Sequence, residues 1–306
     1  MNRVQVVVVG AGVIGFSTAV CVAESLPSCS VTLVAEKFSP DTTSDGAAGI
    51  LFAAEFPDIP LQRQRRWFKD SFDHLLSIAQ SAEAPRAGVM LSSGCQVFKE
   101  VPAVRRPFWS DLVIGFREMS EREMRRFPER TFGQAFTTLK CECASYLPWL
   151  HSRFLKAGGT VEQRRVSSLD ELAGFDLIVN CSGLGSKTLA NDTAVYSVRG
   201  QVLKVHAPWI QLELDEGDTV GILERCKKLE PSLENAKVLS QWVGLRPSRK
   251  NPRLEKDSVR VKGKKVPVVH NYGHSGWGVT LAWGCAVDAL GLVKQSIREI
   301  SPKAKL

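Results

Sequence analysis

The 306-residue sequence carries 44% hydrophobic and 24% charged residues, a balance ordinary for a folded globular protein and long enough for about two domains. Its formal net charge of +8 is spread along the chain without a recognised nucleic-acid module, so nucleic acid is not an expected partner. No run of eighteen apolar residues suggests a membrane span, and the N-terminus passes directly into a strand, so neither a membrane nor a signal peptide is expected and synthesis is cytosolic. The eight cysteines (Cys21, Cys29, Cys95, Cys141, Cys143, Cys181, Cys226, Cys285) show no repeated metal-type pair. The C-x-C at Cys141 and Cys143 has no histidine at zinc-finger spacing, so free thiols, no metal and no disulfides are expected.

The first element is a β-branched run, Val6 to Val9, of the kind a buried parallel strand wants. It leads into Gly10, Gly12 and Gly15, a G-x-G-x-x-G turn. Gly10 permits the tight turn, Gly12 lets the backbone approach a pyrophosphate, and Gly15 lets the helix pack close to the strand, with the helix N-terminus supplying an anion site. A helix to about Leu26, a turn at Pro27 to Ser30 and a second strand at Val31 to Ala35 follow, ending at Glu36, where a ribose hydroxyl needs an acceptor. Strand, glycines, helix, strand and acid in that order predict a dinucleotide site.

Residues 39 to 51, S-P-D-T-T-S-D-G-A-A-G-I-L, read as a loop whose hydroxyls are placed to donate to phosphates. The spacing of Trp67, Phe68, Phe72, Leu75, Leu76 and Ile78 predicts an amphipathic helix between Leu61 and Ala82. Val89 to Phe98 reads as strands broken at Ser92-Ser93-Gly94, and Ser120-x-x-Glu123 as a capping box opening a short helix before Pro128. A helix from Tyr146 to Ala157, a strand from Thr160 to Val166 and an apolar strand within 175–185 come next. The last of these resembles the first strand and is expected beside it in one sheet, which makes the nucleotide domain discontinuous.

Val198 to Val205 is expected to return to a second domain. Arg246 stands at the end of a short apolar segment, V-G-L-R-P, and glycines 273, 276 and 278 precede a helix from about Thr280 to Glu299. That second glycine-rich helix start can face an anion or a polar ring edge, which suits FAD better than NAD.

The sequence resembles the FAD-dependent D-amino-acid oxidases, in particular their branch acting on acidic substrates. The likeness is carried by V-V-G-A-G-V-I-G at 8–15, P-D-T-T-S-D at 40–45, A-A-G at 47–49, F-G-Q-A-F-T-T-L-K-C-E at 132–142, Y-L-P-W-L at 146–150, V-N-C-S-G-L-G-S at 179–186, V-R-G-Q-V-L at 198–203, V-G-L-R-P at 243–247 and P-V-V-H-N-Y-G-H at 267–274, nearly the whole chain. The resemblance implies an α/β fold, a Rossmann-like FAD-binding domain (1–60, 135–195 and 265–306) with a second, sheet-rich substrate domain (61–134 and 196–264). It implies FAD held through Glu36, Lys37, Thr43, Ser44, Ile50, Val166, Ser182, Gly278, Val279 and Thr280, with Val13, Ile14, Thr42, Gly49, Arg165, Gly183 and Ser275 alongside. The implied reaction is oxidative deamination of D-aspartate or D-glutamate by dioxygen to 2-oxo acid, ammonia and hydrogen peroxide. Arg246 would clamp the α-carboxylate, a task for a planar bidentate donor, beside the Gly276 backbone.

Three departures mark the substrate side. Between Trp209 and Ile222 the chain is short, and the family's pair of strands bearing an active-site tyrosine and a further arginine is not found. Ala54 stands where the acidic-substrate enzymes have a histidine, and His274-Ser275-Gly276-Trp277-Gly278 orders its glycines and serine differently. The alternative is therefore a flavin-binding, weakly active or inactive relative lacking part of the substrate site. The final Ala304-Lys305-Leu306 is close to the S-K-L address, so import by the peroxisomal receptor and a peroxisomal matrix location are expected.

Overall fold

The computed structural model describes residues 3–206 and 219–300. Strand β1 (Val4–Val9) enters helix α1 (Val13–Ser25), which returns to β2 (Cys29–Ala35), paired parallel to β1 from Val4 opposite Cys29 to Val9 opposite Val34. The chain continues through α2 (Leu61–Ala79), α3 (Ala84–Ala87), β3 (Val89–Phe98), β4 (Ile114–Glu118), α4 (Glu121–Met124), β5 (Phe132–Cys141) and α5 (Cys143–Lys156). After β6 (Thr160–Gln163), β7 (Leu177–Asn180), α6 (Ser186–Leu189) and β8 (Tyr196–His206) come α7 (Thr219–Leu229), β9 (Lys237–Val261), β10 (Lys264–His274) and α8 (Gly278–Ile300).

Seven strands form one sheet in the order β6-β2-β1-β7-β10-β9-β8, while β3, β5 and β4 form a separate antiparallel sheet with β5 in the middle. The first five strands of the large sheet are parallel; β9 runs antiparallel to β10, and β8 antiparallel to β9. The unbroken valine run of β1 follows from burial on both faces. Val6 and Val8 pack with α1 in the main core, whereas Val7 and Val9 join Val34, Ile178 and Val268 on the opposite face. As expected, β7 lies beside β1, with Val6 opposite Leu177.

Helix α8 has the length and apolar composition of a membrane span. In this fold it is a core helix, packed against α1 and α2. Ser71 Oγ of α2 accepts the Gly284 N–H at 2.9 Å, and Asp288 accepts from Trp67 Nε1 at 2.8 Å and Arg63 Nε at 3.0 Å. Trp67 and Phe68 are fully buried there, each worth about 1.5–3 kcal/mol of apolar burial.

Several boundaries differ from the sequence reading. Strand β3 is continuous through Ser92-Ser93-Gly94, because β5 pairs with it residue by residue from Val89 to Phe98 and Thr137 Oγ1 meets Ser93 Oγ at 2.7 Å. Helix α5 starts at Cys143 rather than Tyr146, and β6 stops at Gln163. The capping box at Ser120 and Glu123 is present, with the Glu123 carboxylate accepting the Ser120 N–H at 2.8 Å. All eight cysteines are free thiols. The short connection read at 209–222 falls mostly outside the described residues, its last part opening α7. The C-terminal tripeptide also lies outside them.

Candidate cofactor and substrate site

A cavity of about 560 Å³ opens beside the C-terminal ends of β1, β7 and β10. Its first wall is the start of α1, at Val13 and Ile14, set by the turn after β1. Gly10 has a left-handed backbone (φ 112°), and a Cβ there would collide with the Cys181 carbonyl; a Cβ on Gly15 would collide with the Gly10 carbonyl. These two glycines therefore hold α1 tight against β1 and β7. A Cβ on Gly12 would crowd the Ser44 hydroxyl at 3.1 Å, a tight contact with a side chain rather than with backbone. Ser44 Oγ already accepts the Val13 N–H at 3.0 Å, which shows the helix start taking an oxygen ligand.

The hydroxyl-rich loop supplies the second wall, but its hydroxyls are partly committed. Thr42 Oγ1 donates to Asp45 Oδ2 at 2.6 Å, and Thr43 Oγ1 to the Leu245 carbonyl at 3.3 Å. Beyond it, Thr280 Oγ1 donates to the Phe52 carbonyl at 3.1 Å, tying the first turn of α8 to the segment after the loop. The third wall is the β8–β9 ribbon, where Val198 pairs with Arg246, Gly200 with Gly244 and Val202 with Trp242, so that all six share one face.

Arg246 is the one charged side chain among the described lining residues. The sequence reading put it at the end of a short segment; it sits instead within the 25-residue strand β9. Its guanidinium lies over Gly200, where an added Cβ would stand 2.8 Å from Nη2. Burial lowers its pKa from the ordinary guanidinium value, yet from so high a start it remains a cation at neutral pH.

Of the other sequence-predicted residues, Val13, Ile14, Thr43, Ser44, Gly49, Ile50, Gly183, Ser275, Gly276, Gly278, Val279 and Thr280 border this cavity. Gly10, Gly12, Gly15, Thr42 and Ser182 build the turns behind it; Ser182 Oγ donates to Asn180 Oδ1 at 2.7 Å. Glu36 and Lys37 are exposed just past β2, Arg165 is exposed past β6, and Val166 packs on the far-face cluster of Val7 and Val9. None of these four borders the cavity.

Asn271 and His274, which also border the cavity, were given no site role from the sequence. Their signal was membership of the H-N-Y-G-H run, with His274 also heading the segment whose glycines and serine are ordered differently. Asn271 Oδ1 and His274 Nε2 are buried without a hydrogen-bond partner. Two orphaned polar atoms on the wall and a helix start that takes oxygen fit a large polar cofactor such as a dinucleotide.

Known proteins agree with that fit. The family described as "DAO: FAD dependent oxidoreductase" matches residues 5–218 and 206–289. The chain is 45% identical to D-aspartate oxidase of Homo sapiens over 341 aligned positions covering 100% of both, and 34% identical to D-amino acid oxidase of Dugesia ryukyuensis, covering 99% of this chain and 100% of that one. The fold matches glycine oxidase from Geobacillus kaustophilus with a TM-score of 0.73 at 18% identity, covering 96% of this chain and 95% of the other. The human alignment has 341 positions against 306 residues here, a deficit of about 35, and the two family matches overlap at 206–218, which runs into the stretch read as short, 209–222. The chain belongs to the DAO family of FAD-dependent oxidoreductases, and its cofactor is FAD.

Proposed function

We propose that the protein oxidatively deaminates acidic D-amino acids, D-aspartate foremost, to the 2-oxo acid, ammonia and hydrogen peroxide. The observation that carries the reading is the half-buried Arg246 cation, which borders the same cavity as the α1 and α8 starts. The 45% identity to a D-aspartate oxidase supports the substrate class. When bound, FAD would supply the two-electron redox chemistry between the substrate and dioxygen. The chain's own work is to hold and orient. Arg246 grips the α-carboxylate through two parallel N–H donors, beside the Gly276 backbone, whose added Cβ would lie 4.0 Å from the arginine side chain. Glu36 accepts the adenosine ribose hydroxyls, with Lys37, Arg165, Val166 and Ser182 along the adenosine side. Residues 1–60, 135–195 and 265–306 serve the cofactor, and 61–134 and 196–264 the substrate.

A second reading, a flavin-binding relative with weak and unselective turnover, is favoured by the deficit of about 35 positions and by Arg246 being the one charge among the described lining residues. A dicarboxylate then has a cation for one carboxylate only. Adding D-aspartate without oxygen to the yellow holoprotein separates the readings: bleaching of the flavin within seconds is expected for the oxidase, and a persistent yellow colour would support the second.

The peroxide product and the Ala304-Lys305-Leu306 ending support peroxisomal import through the receptor that reads such tripeptides. A fluorescent fusion with a free C-terminus is expected in peroxisomes; a diffuse cytosolic signal would refute this.

A further inference from the structure

The cavity wall formed by the end of β10 carries two polar side chains that the reading above leaves unused. Asn271 is fully buried; its Nδ2 donates to Thr18 Oγ1 at 3.1 Å, while Oδ1 has no donor. His274 is 2% exposed, and its Nε2 has no partner. In an unbroken strand, residues three apart face opposite sides. Here Gly273 has a left-handed backbone (φ 85°), and the pairing with β9 slips between Tyr272 and His274, so the alternation is broken and both residues border the same cavity. The position of His274 is fixed from its other side. Ser275 is held left-handed (φ 55°), with its hydroxyl accepting from Ser248 Oγ at 3.0 Å.

An orphaned buried polar atom costs about 1–3 kcal/mol, and two such atoms three residues apart on one wall call for a shared partner. Burial depresses the His274 pKa to about 4, so the ring is neutral at working pH. A neutral imidazole beside an amide oxygen forms a poor site for a phosphate or carboxylate and a good one for hydroxyl or imide groups, which donate and accept at once.

We propose that Asn271 and His274 bind the riboflavin half of FAD, through its ribityl hydroxyls or the imide edge of its ring, and so position the cofactor. This rests on the FAD assignment and adds two residues to it. The test uses apoprotein and measures binding of FAD by fluorescence quenching and of ADP by competition, since ADP has neither ribityl chain nor ring. Three forms are compared: the parent, His274→Phe and His274→Gln. The Phe variant removes the hydrogen-bonding atoms at similar bulk, whereas Gln restores a donor and an acceptor. His274→Phe is expected to weaken FAD binding about tenfold, corresponding to about 1.4 kcal/mol, with ADP binding unchanged and FAD binding recovered at least in part by Gln. Unaltered FAD affinity in the Phe variant, or an equal loss for FAD and ADP, would overturn the proposal. A parent protein that takes up no FAD would instead overturn the cofactor assignment.

Discussion

Gly15→Ala is expected to destabilise the apoprotein by about 3 kcal/mol or more and to abolish FAD binding, while Gly12→Ala spares the fold and loses FAD alone. The two positions lie three residues apart in one motif, and what surrounds them differs in kind. A methyl group on Gly15 meets the Gly10 carbonyl, which is backbone, and lies 3.5 Å from Cys181 Cβ. Neither can swing away, so α1 must lift from β1, against its packing on α5 and α8. A melting temperature lower by roughly 5 °C or more is expected for apoprotein carrying Gly15→Ala. Gly12 has φ −73° and ψ −179°, extended backbone that alanine adopts freely, and its nearest neighbour is the movable Ser44 hydroxyl. Losing a favoured helix-cap residue there costs at most about 1 kcal/mol. The added methyl lies at the α1 start, where the sequence places the pyrophosphate, so FAD affinity is expected to fall at least tenfold, or about 1.4 kcal/mol. Thermal melts of apoprotein and FAD titrations check both. A Gly12→Ala protein that binds FAD as the parent does would show that the α1 start is not used.

The contrast explains which features the sequence made legible. The β1–turn–α1 unit could be read because its constraints are local: the clash at Gly15 is with a residue five positions earlier, and the burial of Val6 to Val9 on both faces is written as an unbroken apolar run. The β8–β9 ribbon could not be read in the same way. Pro247 and Pro252 argue against a long strand, since proline lacks the N–H a ladder needs. Strand β9 accommodates them where it changes partners: Pro247 still faces β8 opposite Ser197, Ser248 is the first residue opposite β10, and Pro252 falls in the gap before Arg253 meets Tyr272. Which side chains then face the cavity depends on a register between residues roughly 45 apart, so Trp242 and Gln201 gave no local signal. Asn271 and His274 were hidden for a related reason, because their common orientation depends on the broken alternation at Gly273. The loop at 39–51 was read as a source of hydroxyl donors for phosphates; Thr43 and Ser44 border the cavity, whereas the Thr42 hydroxyl is spent on Asp45, a contact closed within four residues.

Arg246→Lys is expected to raise the KM for D-aspartate by roughly tenfold to a hundredfold with FAD content unchanged, because a charge-assisted hydrogen bond is worth about 1.5–3 kcal/mol and lysine keeps the charge without the fork. The geometry around this residue adds a sharper test. The guanidinium passes over Gly200, and a methyl group there would stand 2.8 Å from Nη2, 2.9 Å from Cζ and 3.0 Å from Nη1. Those atoms are the far end of a flexible side chain, so Gly200→Ala moves the arginine by a few tenths of an ångström at little cost to stability. A bidentate pair depends on direction as well as charge. Gly200→Ala is thus expected to raise KM several-fold while leaving melting temperature and flavin content at parental values. If Arg246 acts only as a diffuse positive charge at the cavity wall, both Gly200→Ala and Arg246→Lys leave KM near the parental value. If it is mainly structural, Arg246→Lys instead lowers the melting temperature or the flavin content. Steady-state kinetics on D-aspartate, with melts and flavin spectra of the same preparations, distinguishes these outcomes.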